Sequence, residues 1–322
     1  MSSSTPPSAT TTSRPAPETT PVGRALQRIQ REHPNLSTTV AAIKTLTECI
    51  QISKAATLSE LIKDLEAQAD ILKLFRHQNV AIVAACDLFS RFLRDSHHDV
   101  FNLDATKERI IAAGNDLVDK SDETRAAIAR HAAKHIIQED DVVLVHSYSR
   151  VVVRALIHAR RENTRFKVII CEGHAGRGRA LGHATAAELR AHGIPTALIP
   201  DTALGYVIDT VSFILVGAEG VVQNGGLVNG LGTFTIALVA KSASKPFYVM
   251  AESYKFVKLF PLTQYDLPFH DPALIDVSGS DASSSRLPGA DYTPPPFITL
   301  IVTEYGAFSP GRVADVMIAM TH

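Results

Sequence analysis

The chain has 322 residues, 45% hydrophobic and 20% charged, with a formal net charge of -1. That length accommodates about two domains, and the near-zero charge excludes a general nucleic-acid-binding or anionic-membrane surface. Cys49, Cys86 and Cys171 show no CxxC or metal-ligand spacing, so they are expected as reduced thiols in the cytosol. No apolar run approaches a membrane span, and the N-terminus lacks an apolar signal core.

Residues 1–20 read as a disordered tail, because fifteen of them are Ser, Thr or Pro and bury too little apolar surface to offset ordering entropy. Residues 21–139 read as a helical domain. Val40, Ile43, Leu46 and Ile50 recur at three- and four-residue spacing after Pro34-Asn35-Leu36-Ser37. Thr57 and Glu60 have the spacing of a capping box, followed by the apolar face Leu58, Leu61, Ile62, Leu65, Ala69 and Leu72. A third helix carries Val80, Ile82, Val83, Leu88, Phe89 and Phe92. Two more are expected near Ala105–Val118 and Thr124–Gln138, the second starting after Ser121-Asp122. Helices with one apolar face each and short connections form a bundle.

At Asp140 the period changes. Short apolar runs at Val142–Val145, Phe166–Cys171, Thr196–Ile199, Phe213–Val216, Phe247–Ala251 and Phe297–Val302 alternate with helical stretches near Val151–Arg161, Arg179–Ala191, Leu204–Asp209, Thr233–Lys241 and Arg312–Met320. This alternation predicts a Rossmann-like, doubly wound α/β domain over 140–322, its sheet mostly parallel. A long loop is expected near 270–296, where Ser, Pro, Gly and Asp accumulate.

Polar clusters end the strands on one predicted edge: His146 to Arg150, Glu172 to Arg179, Asp201, Glu219 to Thr233, and Glu252 to Lys258. Ligands bind at that edge in open α/β sheets. The stretch with Gly217, Gly220, Asn224, Gly225, Gly226, Asn229, Gly230 and Gly232 reads either as a glycine-rich anion loop opening a helix near Asn229-Gly230 or as a loop that merely turns the chain. Arg150, Arg177, Arg179 and Lys255 are candidate counter-cations or ordinary surface charges. His146 reads equally as a core or a site histidine. Glu219 and Glu252 are candidate acids or bases, or brackets for the loop backbone. His131 and His135 lie at i, i+4 without an acidic third ligand, so no metal site is expected.

Several blocks carry a resemblance: His146-Ser147-Tyr148-Ser149-Arg150-Val151-Val152, Val216 to Val222 with Asn224-Gly225-Gly226, Phe247-Tyr248-Val249 with Ala251 to Leu262, Asp291-Tyr292-Thr293-Pro294, and Leu300 to Thr303. In these blocks the chain resembles the eukaryotic translation initiation factor 2B family, its alpha subunits in particular. The resemblance is dense over the α/β half and looser over the helices. It implies a cytoplasmic, regulatory and non-catalytic subunit of the guanine-nucleotide exchange factor for initiation factor 2. It further implies a homodimer that bridges beta, delta, gamma and epsilon subunits into a decamer and mediates inhibition by phosphorylated initiation factor 2. By position, Thr45 and Glu48 would contact that phosphorylated partner. The exposed-looking apolar residues Tyr254, Phe256, Val257, Leu259 and Phe260 would form the dimer surface.

The family's fold is similar to that of methylthioribose-1-phosphate and ribose-1,5-bisphosphate isomerases. Ser147 and Glu219 stand where those enzymes carry a catalytic cysteine and aspartate, and Asn229-Gly230 where they carry Asn-Lys. A serine is a far poorer acid near neutral pH than a cysteine, whose pKa is about 8.5. The resemblance therefore implies a retained ligand pocket without required cofactor or metal. Its expected ligand is a sugar phosphate or nucleoside monophosphate, and its expected residues are His146, Ser147, Arg150, Glu172, Glu219, Asn224, Gly225, Gly226, Asn229, Gly230 and Lys255. An active isomerase is the alternative.

Overall fold

The computed structural model describes residues 17–75, 79–95, 103–173, 181–267 and 288–319. Local capping chemistry starts the helices. Thr20 caps α1 (Pro21–Glu32), its hydroxyl accepting from Gly23 N at 3.1 Å, with proline suitably placed at the first helical position. Ser37 caps α2 (Thr38–Ile52) by accepting from Val40 N at 3.2 Å. Thr57 and Glu60 make the expected capping box at the start of α3 (Leu58–Lys73). With α4 (Asn79–Asp95), these helices bury Leu26, Ile43, Leu46, Leu61, Ile82 and Phe89 in one core.

The two helices expected between 105 and 138 are a single one, α5 (Leu103–His135), of 33 residues. Ser121-Asp122 does not start a new helix because both side chains are satisfied without breaking the backbone ladder. Ser121 Oγ donates to Val118 O at 2.8 Å, and Asp122 turns outward to pair with Arg154. The early part of α5 puts Ile110 into the helical core, whereas Ile128, Ala129 and Ala132 belong to the core against the sheet. One rigid rod therefore runs through both halves.

Eleven strands follow among the described residues: β1 (Val142–His146), β2 (Lys167–Cys171), β3 (Thr196–Ile199), β4 (Phe213–Gly217), β5 (Gly220–Val222), β6 (Leu227–Gly230), β7 (Phe247–Met250), β8 (Phe256–Val257), β9 (Ala290–Thr293), β10 (Leu300–Thr303) and β11 (Gly306–Phe308). The helices between and after them are α6 (Arg150–Arg161), α7 (Gly182–Ala191), α8 (Leu204–Val207), α9 (Thr233–Ser242) and α10 (Val313–Ala319). The main sheet has the order β11-β10-β7-β4-β1-β2-β3, and every neighbouring pair is parallel except β10 with β11. Val143 and Val145 face the layer of α5, α6 and α7, while Leu144 faces that of α8, α9 and α10. The order reverses between β1 and β4, which opens a crevice at their carboxyl ends.

The glycine-rich stretch after β4 is not a simple loop. It forms an antiparallel β5–β6 hairpin in a second sheet, ordered β8-β5-β6-β9. Val222, Val228, Val257 and Tyr292 of this sheet pack on Val80 and Ala84 of α4. The expected loop over 270–296 likewise contains β9, and residues 270–287 of it lie outside the described residues.

A mid-helix glycine fixes how α2 and α5 cross. A Cβ on Gly114 would lie 2.2 Å from Thr47 Oγ1, whose proton goes to Ile43 O at 2.9 Å. Gly114→Ala would gain about 1 kcal/mol of helix propensity, but overpacking should outweigh it with a net loss of about 1–2 kcal/mol in urea denaturation. Adding Thr47→Ala removes the clashing oxygen and should recover most of that loss. Equal stability of wild type and Gly114→Ala would show that the crossing has room to spare.

Candidate functional site

A cavity of about 280 Å³ occupies the crevice beyond β1 and β4. Its walls come from the segment after β1, the ends of β4 and β6, the turn after β7, and Ser37 and Thr38 at the start of α2. The helical half thus closes a crevice that the sheet opens.

Ser147 follows β1 in a left-handed conformation, φ 58°, which a non-glycine residue adopts at a cost. Its N–H donates to Cys171 O at 2.9 Å, and its carbonyl accepts from Thr185 Oγ1 at 2.7 Å. Gly173 makes the approach possible, since a Cβ there would stand 2.5 Å from Ser147 Cβ. The chain then enters α6, whose N-cap Ser149 makes no side-chain capping bond. Ser149, Arg150 and Val151 all line the cavity, so the first amides of α6 are the helix-terminal donors nearest to it.

His146 is buried at the floor, and burial holds its pKa below the ordinary value, with Asp201 pulling the other way. Thr233 Oγ1 donates its only proton to Gly230 O at 2.6 Å, so at His146 Nδ1, 3.3 Å away, it can only accept. Nδ1 of the neutral ring therefore carries the proton. Nε2 presents a lone pair, buried and without a hydrogen-bond partner among the described residues.

Two cations, Arg150 and Lys255, face two carboxylates, Glu219 and Glu252, around this cavity. Two of the three Lys255 donors are directed within the chain: Nζ lies 2.7 Å from Glu252 Oε2 and donates to Ala218 O at 2.9 Å. Burial raises the pKa of Glu252, but the charge and contact of Lys255 outweigh it and leave the group below the ordinary carboxylate range. Hydroxyls of Ser37, Thr38, Ser147 and Ser149 complete a polar lining.

The structure places His146, Ser147, Arg150, Glu219, Asn229, Gly230 and Lys255 around this cavity. Other expectations need correction. Glu172 does not line the cavity, and its carboxylate lies 3.7 Å from His183 Nε2. Asn224, Gly225 and Gly226 form the tip of the β5–β6 hairpin, away from it. Asn224 Nδ2 donates to Pro261 O at 2.6 Å and to Tyr292 Oη at 2.8 Å, while its Oδ1 accepts from Gly226 N at 3.0 Å. Asn229 and Gly230 end a strand, and α9 starts only at Thr233. That helix is no anion site, because Asp291 Oδ2 already accepts from Gly232 N at 2.7 Å and Phe234 N at 3.1 Å. Arg177 and Arg179 lie outside the described residues.

Tyr254, Phe256 and Val257 are buried within the chain because β8 pairs with β5, and Leu259 is half-buried. Only Phe260 of that group is exposed, at 64%. Thr45 is fully buried, its hydroxyl donating to Ala41 O at 2.8 Å, whereas Glu48 is accessible and paired with Arg28. The three thiols are pushed up by burial, Cys49 to about 11 and Cys86 and Cys171 to about 12. The rings of His131 and His135 are 4.8 Å apart, and no cluster of three or more metal-ligating side chains occurs among the described residues.

Burial pushes the Asp291 carboxyl up to about 7, against the pull of its two amide donors. An acid whose folded pKa exceeds its unfolded value favours the folded state while protonated. This contribution fades as pH rises from an unfolded value of about 4 to the folded value of about 7. Asp291→Asn keeps an oxygen for the amides and removes the titration. Chemical denaturation should therefore show wild type losing stability relative to Asp291→Asn between those pH values; parallel profiles would rule the linkage out.

Residues 31–310 match the model of the initiation factor 2 subunit family (IF-2B). The chain is 37% identical to "Translation initiation factor eIF2B subunit alpha" of Dictyostelium discoideum, over 93% of this chain and 96% of that one. It is 28% identical to a ribose 1,5-bisphosphate isomerase of Pyrococcus furiosus, over 82% of each. Among solved structures, it is similar to a Pyrococcus horikoshii translation initiation factor eIF-2B at TM-score 0.69 and 24% identity, over 90% of this chain and 98% of that one. It is also similar to a chain of the tetrameric eIF2B beta–delta complex of C. thermophilum at TM-score 0.74 and 21% identity, over 94% of each. The family match over residues 31–310 and the 37% identity over nearly the whole of both chains show that this chain belongs to the initiation factor 2B family.

Proposed function

We propose that this protein is the regulatory, non-catalytic alpha subunit of the guanine-nucleotide exchange factor for translation initiation factor 2. The observation that carries this reading is the end-to-end identity of 37% with an eIF2B alpha subunit, spanning the helical half as well as the sheet. In this role the chain forms a homodimer that bridges two beta-delta-gamma-epsilon assemblies in the cytoplasm and makes exchange sensitive to phosphorylated initiation factor 2. Glu48, accessible on α2, is the candidate contact for that partner, and buried Thr45 supports the helix beneath it. Exposed Phe260, Leu262 and Tyr265, just beyond β8, supply the apolar surface for the second copy.

The isomerase-like relatives and the hydroxyl-lined cavity support a retained pocket for a sugar phosphate or nucleoside monophosphate. The chemistry there disfavours turnover. Ser147 offers a hydroxyl where the isomerases carry a thiol, and Glu219 carries its carboxylate one methylene further out than their aspartate.

The test is capture of purified beta, delta, gamma and epsilon subunits by this chain, followed by nucleotide exchange on phosphorylated and unphosphorylated factor. Assembly, with inhibition only by the phosphorylated factor, is the expected result. Phe260→Asp should sediment as a monomer and lose bridging. A chain that captures no subunit and instead turns over ribose 1,5-bisphosphate would replace this reading with the isomerase.

A further inference from the structure

A second cavity, of about 530 Å³, opens on the other side of Tyr148, between α5, α6 and α7. It shares Tyr148 and Arg150 with the first but differs in charge. Arg125, Arg130, Arg150, Arg154 and Arg161 line it against only Asp122 and Glu188. Both carboxylates are already engaged. Asp122 Oδ1 accepts from Arg154 Nη1 at 2.6 Å, and Glu188 Oε2 accepts the Tyr148 hydroxyl at 2.9 Å.

Arg125 is 5% exposed, yet no carboxylate pairs with it among the described residues. Its Nε donates to Ser121 O at 3.2 Å and its Nη1 to Asn35 O at 2.9 Å, both neutral carbonyls. Arg150, more open to solvent, similarly donates to Pro34 O at 3.0 Å. Burial of its surroundings and then the like charge of Arg125 lower the Arg150 pKa. A guanidinium held out of water without a directly paired carboxylate is costly, and Asp122 and Glu252 act on Arg125 only as longer-range fields, their direct ion pairs being with Arg154 and Lys255. Planar guanidinium forks match phosphate oxygens bidentately, and the volume falls within the usual range for small-ligand sites.

We propose that this groove binds a small, multiply charged phosphate ligand of the pyrophosphate or polyphosphate class, held by Arg125 and Arg150 within and by Arg130, Arg154 and Arg161 at the rim. The site stands independently of the exchange-factor reading, since none of its residues was drawn from the family likeness except the shared Arg150. Its occupant supplies the directly paired negative charge that Arg125 lacks.

Isothermal titration of the full chain with inorganic pyrophosphate, at fixed ionic strength, tests this. Two variants accompany wild type: Arg130→Ala/Arg161→Ala, which removes two exposed rim cations, and Ala126→Glu, which puts a carboxylate into the groove. Wild type should bind, the double variant about tenfold more weakly, and Ala126→Glu not measurably. Absence of binding to folded wild type, or equal binding by all three proteins, would overturn the proposal; the latter would place the anion elsewhere, as in the first cavity. Tighter binding of a polyglutamate peptide than of pyrophosphate would also overturn it, by giving the groove to an acidic protein segment.

Discussion

The Glu252–Lys255 ion pair is the constraint on which the site depends. Glu252 follows β7 and is 1% exposed. Lys255, three residues on, reaches back to its Oε2 and also donates to the carbonyl of Ala218 beyond β4, while Tyr254 Oη donates to Glu252 Oε1 at 3.1 Å. One turn thereby neutralises its own buried charge and ties the ends of two adjacent strands together at the crevice. Tyr254 also meets the side chain of Ser37, which caps α2. The cap of a helix in the N-terminal half is thus linked, through one phenol, to the central carboxylate of the sheet half.

Charge balance decides what each cavity can attract. With Arg150 and Lys255 set against Glu219 and Glu252, the first cavity is close to electrically balanced and offers hydroxyls, the lone pair of His146 Nε2 and the uncapped start of α6. That combination suits a ligand bringing several hydroxyls and one anionic group. Arg125 and Arg150 donate only to neutral backbone carbonyls, and the surplus positive charge collects in the second groove. Two neighbouring cavities that share one arginine are therefore different in chemistry.

Much of this was legible in the sequence where periodicity is strong. The runs at Val142–Val145 and Phe213–Val216 announce central parallel strands, and the polar residues after them fall on the ligand edge. The second sheet was hidden because β5 and β8 span only three and two residues, too short for any alternation to show. Its glycines mark a hairpin tip and close packing rather than an anion loop, and β8 turned Tyr254, Phe256 and Val257 from surface into interior. Asp291 gave no local signal as the cap of α9, since its partners Gly232 and Phe234 lie about sixty residues earlier in the chain. Ser121-Asp122 misled for the opposite reason: residues with capping chemistry also sit inside a helix when other partners satisfy them.

A double-mutant cycle on the central pair is the most direct measurement, with Glu252→Gln, Lys255→Met and the combination compared by chemical denaturation at neutral pH. Each single change leaves an uncompensated buried group and should cost about 3–5 kcal/mol. The combined variant should cost clearly less than the two losses added together, with a coupling of about 1–3 kcal/mol. Strictly additive losses would show that the two side chains act separately, and the ion pair would no longer explain how the strand ends and the helical half are held around the site.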